Sequence, residues 1–201
     1  MIKVFGVGRG AKKKQDQQSN NQESGNEQSA TSNPAAGSAS QSFGDKQPGE
    51  IRMQKELDEL DVPPQCQLNF LNKNNIMHFA LDVKPEEGMW KQACFRFLFT
   101  IPPLYPHEAP KVKCDTKIFH PNIDLEGNVC LNILREEWKP VLSISAVIYG
   151  ILHLFAEPNG NDPLNQEASR IFRENPVEFE RLVQRSLRGY MVQNQQFPRL
   201  L

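Results

Sequence analysis

The sequence predicts an α+β domain behind a long tail that has no core of its own, and three patterns in its 201 residues predict this. Apolar residues recur at helical spacing from Pro48 to Leu60, and four stretches between Cys66 and Cys114 alternate apolar with polar. Helical spacing then returns three times between Ser143 and Leu187. Strands gathered in one run, with no strand–helix alternation, mean an antiparallel meander rather than a parallel βαβ series.

Taken in order, Pro48 and Glu50 open the first helix, with Met53, Leu57 and Leu60 on one face and Arg52 and Lys55 off it. Asp61-Val62-Pro63-Pro64 stops it. Cys66, Leu68 and Phe70 form the first strand and Met77, Phe79, Leu81 and Val83 the second. Phe95, Phe97, Phe99 and Ile101 form the third, and Val112 with Cys114 a short fourth. Turn residues separate them at Asn72–Asn75, Pro85–Gly88 and Pro102–Pro110. Ser143 is the expected cap of the next helix, whose Ile144, Val147, Ile148, Ile151, Leu152 and Phe155 face inward. Asp162-Pro163 is expected to cap and start another, with Leu164, Ala168, Ile171 and Phe172 on its inner face. Asn175-Pro176 with Glu178 repeats the device before Phe179, Leu182, Val183 and Leu187.

Composition sets the limits of the domain. From Gly6 to Gly49 only Val7, Ala11, Ala30, Ala35, Ala36, Ala39 and Phe43 are apolar, 7 of 44 positions, too few to offset chain entropy. Residues 6–49 are therefore expected to be a disordered linker and residues 50–201 the folded domain, with residues 1–5 a short apolar tip. The net charge of −1 divides into +2 before residue 50 and −3 after it, so the folding part is not basic and no nucleic-acid partner is expected. No run of about 18 apolar residues exists for a membrane span. Met1-Ile2-Lys3-Val4-Phe5 is too short for a signal-peptide core, and Gly6, Gly8 and Gly10 spoil the amphipathic helix of a mitochondrial presequence. Cys66, Cys94, Cys114 and Cys130 contain no Cys-x-x-Cys pair, so no metal site is expected. Reduced thiols, and hence a cytoplasmic and nuclear location, are the corresponding expectation.

The informative segment is Lys117–Pro140, where periodicity disappears although apolar residues remain; an irregular stretch this long inside a compact domain is usually functional. Cys130 between Val129 and Leu131 looks like a small buried hydrophobe when taken alone. The amides of Asn122, Asn128 and Asn132 around it point instead to chemistry. With His120-Pro121-Asn122, the cysteine eight residues later in Cys130-Leu131-x-Ile133-Leu134, and Trp138-x-Pro140, the segment resembles the ubiquitin-conjugating enzymes. Tyr105-Pro106-His107-Glu108-Ala109-Pro110 and Pro158-Asn159-Gly160-Asn161-Asp162-Pro163-Leu164 extend the resemblance over residues 50–190, in family order.

The resemblance implies the fold of that family: one amino-terminal helix, a four-stranded antiparallel meander and three later helices. It also implies that Cys130 accepts a ubiquitin-like protein as a thioester from an activating enzyme and passes it to a lysine. No cofactor is implied, because ATP is used by the separate activating enzyme. Asn122 would support the tetrahedral oxyanion or tie the loop to itself. Asp162 would orient, desolvate or deprotonate the incoming lysine, or serve only as a helix cap. A lysine of ordinary pKa is ~0.04% neutral at pH 7, so some such help is needed. His120, Pro121 and Tyr105 would be structural parts of the loops; a His120 acting as general base would instead suggest a cysteine hydrolase. Ala109 stands where the family often has proline, and Gly160-Asn161 loosens the turn before Asp162.

Met1-Ile2-Lys3-Val4-Phe5 resembles the docking peptide of the branch that conjugates the neddylation modifier, the ubiquitin-like protein attached to cullins. In that branch Ile2, Val4 and Phe5 would enter a groove on the heterodimeric activating enzyme and an acetylated Met1 a pocket on a co-ligase. The flexible linker would raise the effective concentration of the tethered domain. Asn132 and Trp138-Lys139-Pro140-Val141-Leu142 resemble the same branch. Arg52 and Lys55 would help bind the activating enzyme, and His107, Pro140 and Val141 would face a RING-type ligase, with the protein acting as a monomer. Conjugation of ubiquitin or another modifier, and a non-catalytic scaffold of the same fold, are the alternatives.

Overall fold

The computed structural model describes residues 46–201. Met1, Ile2, Val4 and Phe5, and nearly all of the expected linker, lie outside the described residues. The first helix, α1 (Pro48–Glu59), opens at Pro48 as the sequence predicts, which puts its first two residues inside the expected linker. Proline at its first position leaves no N–H to satisfy, and the Glu50 carboxylate accepts the Gln47 N–H at 3.4 Å. Met53 is fully buried and Leu57 and Leu60 pack against the core, as the spacing predicts.

Four strands follow: β1 (Cys66–Phe70), β2 (His78–Val83), β3 (Phe95–Thr100) and β4 (Lys111–Cys114). They pair antiparallel in the order β1-β2-β3-β4. The register sets Phe79 opposite Phe99, Leu81 opposite Phe97 and Val83 opposite Phe95, so one face carries six side chains at most 1% exposed. The other face carries His78, Asp82, Arg96 and Thr100 around an Ala80–Leu98 pair, with Arg96 bidentate to Asp82 directly across the β2–β3 pair at 2.7 Å. This is the alternation that a sheet covered on one side requires.

The helix α2 (Ile144–Ala156) covers the apolar face. Its Phe155 ring meets Phe95 at 5.1 Å and Phe97 at 6.1 Å. Val147, Ile148 and Ile151 are buried, but Leu154 takes the buried place expected of Leu152, which is half-buried. Ser143 occupies the cap position yet its side chain makes no capping bond. The Glu56 carboxylate does so, accepting the Ile144 N–H at 2.7 Å.

The helix α3 (Gln166–Glu174) does not begin at Asp162-Pro163. Its cap is Asn165, whose Oδ1 accepts the Ala168 N–H at 3.0 Å. The amides of Leu164 and Asn165 both donate to the Pro121 carbonyl at 3.0 Å, which holds residues 162–165 against the irregular segment and delays the helix. Leu164 accordingly precedes the helix instead of lining it. The helix α4 (Pro176–Leu187) starts as expected, with Asn175 capping the Glu178 N–H at 3.1 Å. Beyond it the chain folds back: Val192 and Phe197 are buried, Phe197 meets Phe119 edge-on at 6.2 Å, and Lys117 donates to the Gln195 amide at 3.0 Å.

Candidate functional site

Residues 117–140 are irregular but closely tied. Isolated bridges join His120 to Ile123, Ile123 to Val129 and Lys113 to Asn128, and a 3-10 turn spans Asn132–Leu134. Gly127 makes the return possible. Its φ is +85°, and a Cβ there would lie 2.0 Å from the Cys114 carbonyl oxygen. The reversal at Gly127 presses the hairpin onto β4, with Cys114 N–H donating to Gly127 O at 2.8 Å, and delivers Cys130 next to Asn122. The Cys130 N–H donates to the Asn122 carbonyl at 2.8 Å.

His120 is the anchor of this loop. It is fully buried and its ring lies 4.5 Å from that of Trp90, whose indole N–H donates to Phe119 O at 3.2 Å. His120 Nδ1 accepts the Asn122 N–H at 2.9 Å, which places the ring proton on Nε2, donating to Leu154 O of α2 at 2.9 Å. Burial pushes its pKa down to about 4. Both ring nitrogens are occupied, so neither is available as a base for the thiol.

Asn122 is 1% exposed and its side chain clamps a second loop. Its amide Nδ2 donates to Asn159 O at 2.8 Å and to Asp162 O at 3.3 Å, and its Oδ1 accepts the Asn159 N–H at 2.8 Å. The loop so held presents the Asp162 carboxylate to Cys130, with Sγ donating to Oδ2 at 3.5 Å. Gly160 and Asn161 do not leave this loop untied: Ser169 Oγ donates to Gly160 O, and the Asn161 N–H to Asn159 Oδ1, both at 2.8 Å. Cys130 is 7% exposed. Burial is the main reason its thiol pKa is raised; Asp162 pushes the same way and Arg135 against.

The thiol opens into a cleft of about 320 Å³. One wall is Leu131, Asn132, Ile133 and Glu137; the other is Gly150, His153 and Leu154 of α2 with Glu157 just beyond its end. Gly150 lets the walls approach, since a Cβ there would come within 2.9 Å of the Leu131 side chain. Among the described residues no group of three or more His, Cys, Asp or Glu is placed to hold a metal ion. Such a site offers one nucleophilic thiol, a neighbouring carboxylate and an open groove, which suits acyl transfer through a thioester.

The model of the family described as "Ubiquitin-conjugating enzyme" matches residues 52–187, more than half of the chain. The chain belongs to the ubiquitin-conjugating enzyme family. As a member it is a ubiquitin-like protein transferase with the α+β fold described above. It is 49% identical to a protein named "Probable NEDD8-conjugating enzyme Ubc12-like" from Arabidopsis thaliana, over the whole of both chains. It is 53% identical to the "NEDD8-conjugating enzyme Ubc12" of the same plant, covering 76% of this chain and 84% of the relative. Among solved structures it superposes on S. cerevisiae Ubc12 with a TM-score of 0.73 and 39% identity, covering 77% of this chain and 87% of that one.

Tyr105, Pro121, Arg52, Lys55, His107, Pro140 and Val141 do not line the cleft. Tyr105 is buried, its hydroxyl 2.8 Å from both oxygens of Glu56 and its ring 5.9 Å from that of Trp138. Pro121 is buried and contributes the carbonyl that holds residues 164 and 165. Arg52 is half-buried and paired with Glu56, whereas Lys55 is exposed. His107 and Pro140 are exposed and Val141 is 81% exposed, with Leu104 standing out nearby in sequence to His107. Sequence reasoning missed Glu56, Asn159 and Leu154. An Arg52–Glu56 pair at i, i+4 was legible as a helix pair. Nothing in the spacing says that the carboxylate leaves its own helix to cap another.

Proposed function

We propose that this conjugating enzyme carries NEDD8, the modifier named in its relatives, as a thioester on Cys130 and passes it to lysines of cullins with a RING-type ligase and a co-ligase. The observation that carries the reading is the buried Cys130 thiol held 3.5 Å from Asp162 at the head of a cleft. The branch rests on relatives of that name at about half identity, one along the whole chain. The activating enzyme, a heterodimer that consumes ATP, donates the modifier's terminal carbonyl: the Cys130 sulfur forms the new thioester and the activating enzyme's thiol leaves. The lysine amine then attacks that carbonyl, the C–S bond breaks, and Cys130 leaves as a thiolate while the amine's proton passes to Asp162 or solvent, from which the thiolate is reprotonated. The burial that raises the thiol pKa also makes it a poorer leaving group, which protects the thioester from water.

Asn122 acts by holding the Asn159–Asp162 loop, because its amide is engaged there. Arg52 and Lys55 on α1 serve the activating enzyme, and His107, Pro140 and Val141 the RING subunit. The protein works as a monomer in cytoplasm and nucleus. The test is a charging assay on non-reducing gels with ATP and either the NEDD8 or the ubiquitin pair of modifier and activating enzyme, beside Cys130→Ala. A thiol-sensitive band with the NEDD8 pair alone, absent from the variant, is the expected result. Charging by ubiquitin alone overturns the modifier, and no band with either pair overturns the activity.

A further inference from the structure

The reaction described above uses nothing from α1 except its outer surface, yet one carboxylate of that helix is the junction of three elements. Glu56 is 10% exposed at its side chain and is contacted by three donor atoms on different parts of the chain. Arg52 Nε pairs with its Oε1 from the same helix. The Tyr105 hydroxyl lies 2.8 Å from both its oxygens, and the Ile144 N–H donates to its Oε2 at 2.7 Å. Burial and the neighbouring Glu56 charge raise the Tyr105 pKa, so its hydroxyl keeps its proton and remains a donor.

The Ile144 and Tyr105 contacts lead to different walls of the Cys130 cleft. Ile144 is the first residue of α2, the helix that supplies Gly150, His153 and Leu154 to one wall, with Glu157 just past its end. The same helix holds the catalytic loop, through Leu154 O and His120 Nε2. Tyr105 lies against Trp138, whose indole N–H donates to Pro106 O at 2.8 Å. Trp138 follows directly on Glu137, the last residue of the opposite wall, which is tied back by its N–H to Asn132 O at 3.1 Å. The two walls therefore share one fixed point outside the cleft.

We propose that Glu56 is a positioning residue for transfer: its carboxylate, by gripping both the start of α2 and Tyr105, sets the spacing of the two walls around Cys130. Arg52, half-exposed beside it, makes the same carboxylate sensitive to what binds α1. The inference rests on the reading of the cleft as the transfer site, but part of its test is independent of any modifier.

Glutamine in place of Glu56 keeps the shape and removes one acceptor. Its Nε2 donates where the carboxylate accepted, so of three converging donors at least one must turn away. In the free protein, Glu56→Gln is expected to shift backbone amide resonances at residues 131–138 and 150–157 while leaving β1 and β2 unmoved. In single-turnover discharge of charged protein to free lysine, kcat is expected to fall about tenfold with KM for lysine unchanged within about twofold. A part that is only structural would lower the melting temperature and leave kcat of the folded variant intact. Tyr105→Phe removes one hydroxyl from the same carboxylate and covers the case in which Glu56→Gln fails to fold; a smaller fall in kcat, again without a change in KM, is expected. Unchanged kcat in a folded variant of either kind, or resonance shifts confined to α1, overturns the proposal. Failure of the wild-type protein to charge overturns the transfer function instead, and the resonance shifts then still decide whether Glu56 spaces the walls.

Discussion

Replacing Asn122 with alanine separates two ways an asparagine next to a reactive cysteine can act. In the structure the amide makes three hydrogen bonds to the Asn159–Asp162 loop, at 2.8, 2.8 and 3.3 Å. A net worth of about 0.5–1.5 kcal/mol each, with the longest at the low end, gives a destabilisation of about 2–3 kcal/mol. Asn159 and Asp162 are exposed, so water can reach the freed backbone groups and keeps the loss in this range. Once the loop is released, Asp162 no longer stands 3.5 Å from the thiol, and discharge to lysine should fall with it. Urea unfolding and single-turnover discharge measured on Asn122→Ala, Asp162→Asn and the double variant test this. Because both changes disable the same carboxylate, the double variant should discharge about as slowly as the slower single variant. Stability altered by less than about 0.5 kcal/mol together with abolished discharge would refute the reasoning. That outcome would mean that the amide reaches the oxyanion itself, a contact worth roughly 3–4 kcal/mol of barrier elsewhere.

Three further outcomes follow from the geometry. His120 has a folded pKa of about 4 against an ordinary value of 6.5, so the unfolded chain takes up the proton first as pH falls. Its contribution is complete above about pH 6.5 and drains away down to about pH 4, roughly 3 kcal/mol in all at 1.36 kcal/mol per pH step; an NMR titration showing His120 protonating near 6.5 would contradict this. Asp162 helps raise the Cys130 pKa, so Asp162→Asn should speed alkylation of the thiol by iodoacetamide at pH 7.5 while slowing transfer, and slower alkylation would count against the assigned contact. Gly127→Ala should cost at least about 2 kcal/mol in urea unfolding, since φ is +85° and the new Cβ would meet the Cys114 carbonyl; a loss below about 0.5 kcal/mol would show that the turn can relax.

Much of the scaffold was legible in the chain because its cause is local. The alternation of Phe95, Phe97 and Phe99 belongs to a strand buried on one face, and the structure places those three rings at 0–1% exposure. Asn175-Pro176 with Glu178 carries its own capping bond within four residues, so it needed no knowledge of the rest. The order of motifs from His120 to Asp162 was likewise visible, and with it the family.

Helix starts that depend on distant partners were not legible. Ser143 has the right side chain in the right place, yet a carboxylate 88 residues earlier caps the helix instead. Asp162-Pro163 has the local signature of a start, but two amides just after it are drawn to Pro121 O and the helix waits for Asn165. The chain by itself determined which residues are apolar, at what period, and which nucleophile and amides it holds. Only the tertiary structure decided which partner each polar side chain meets: Asn122 the Asp162 loop, His120 a carbonyl of α2, and Glu56 the Ile144 N–H and the Tyr105 hydroxyl. The physical reason is that periodicity records burial, a property of each residue in its own element. A buried hydrogen bond is satisfied by whichever partner the fold brings within about 3 Å, and the spacing of residues along the chain carries no record of that.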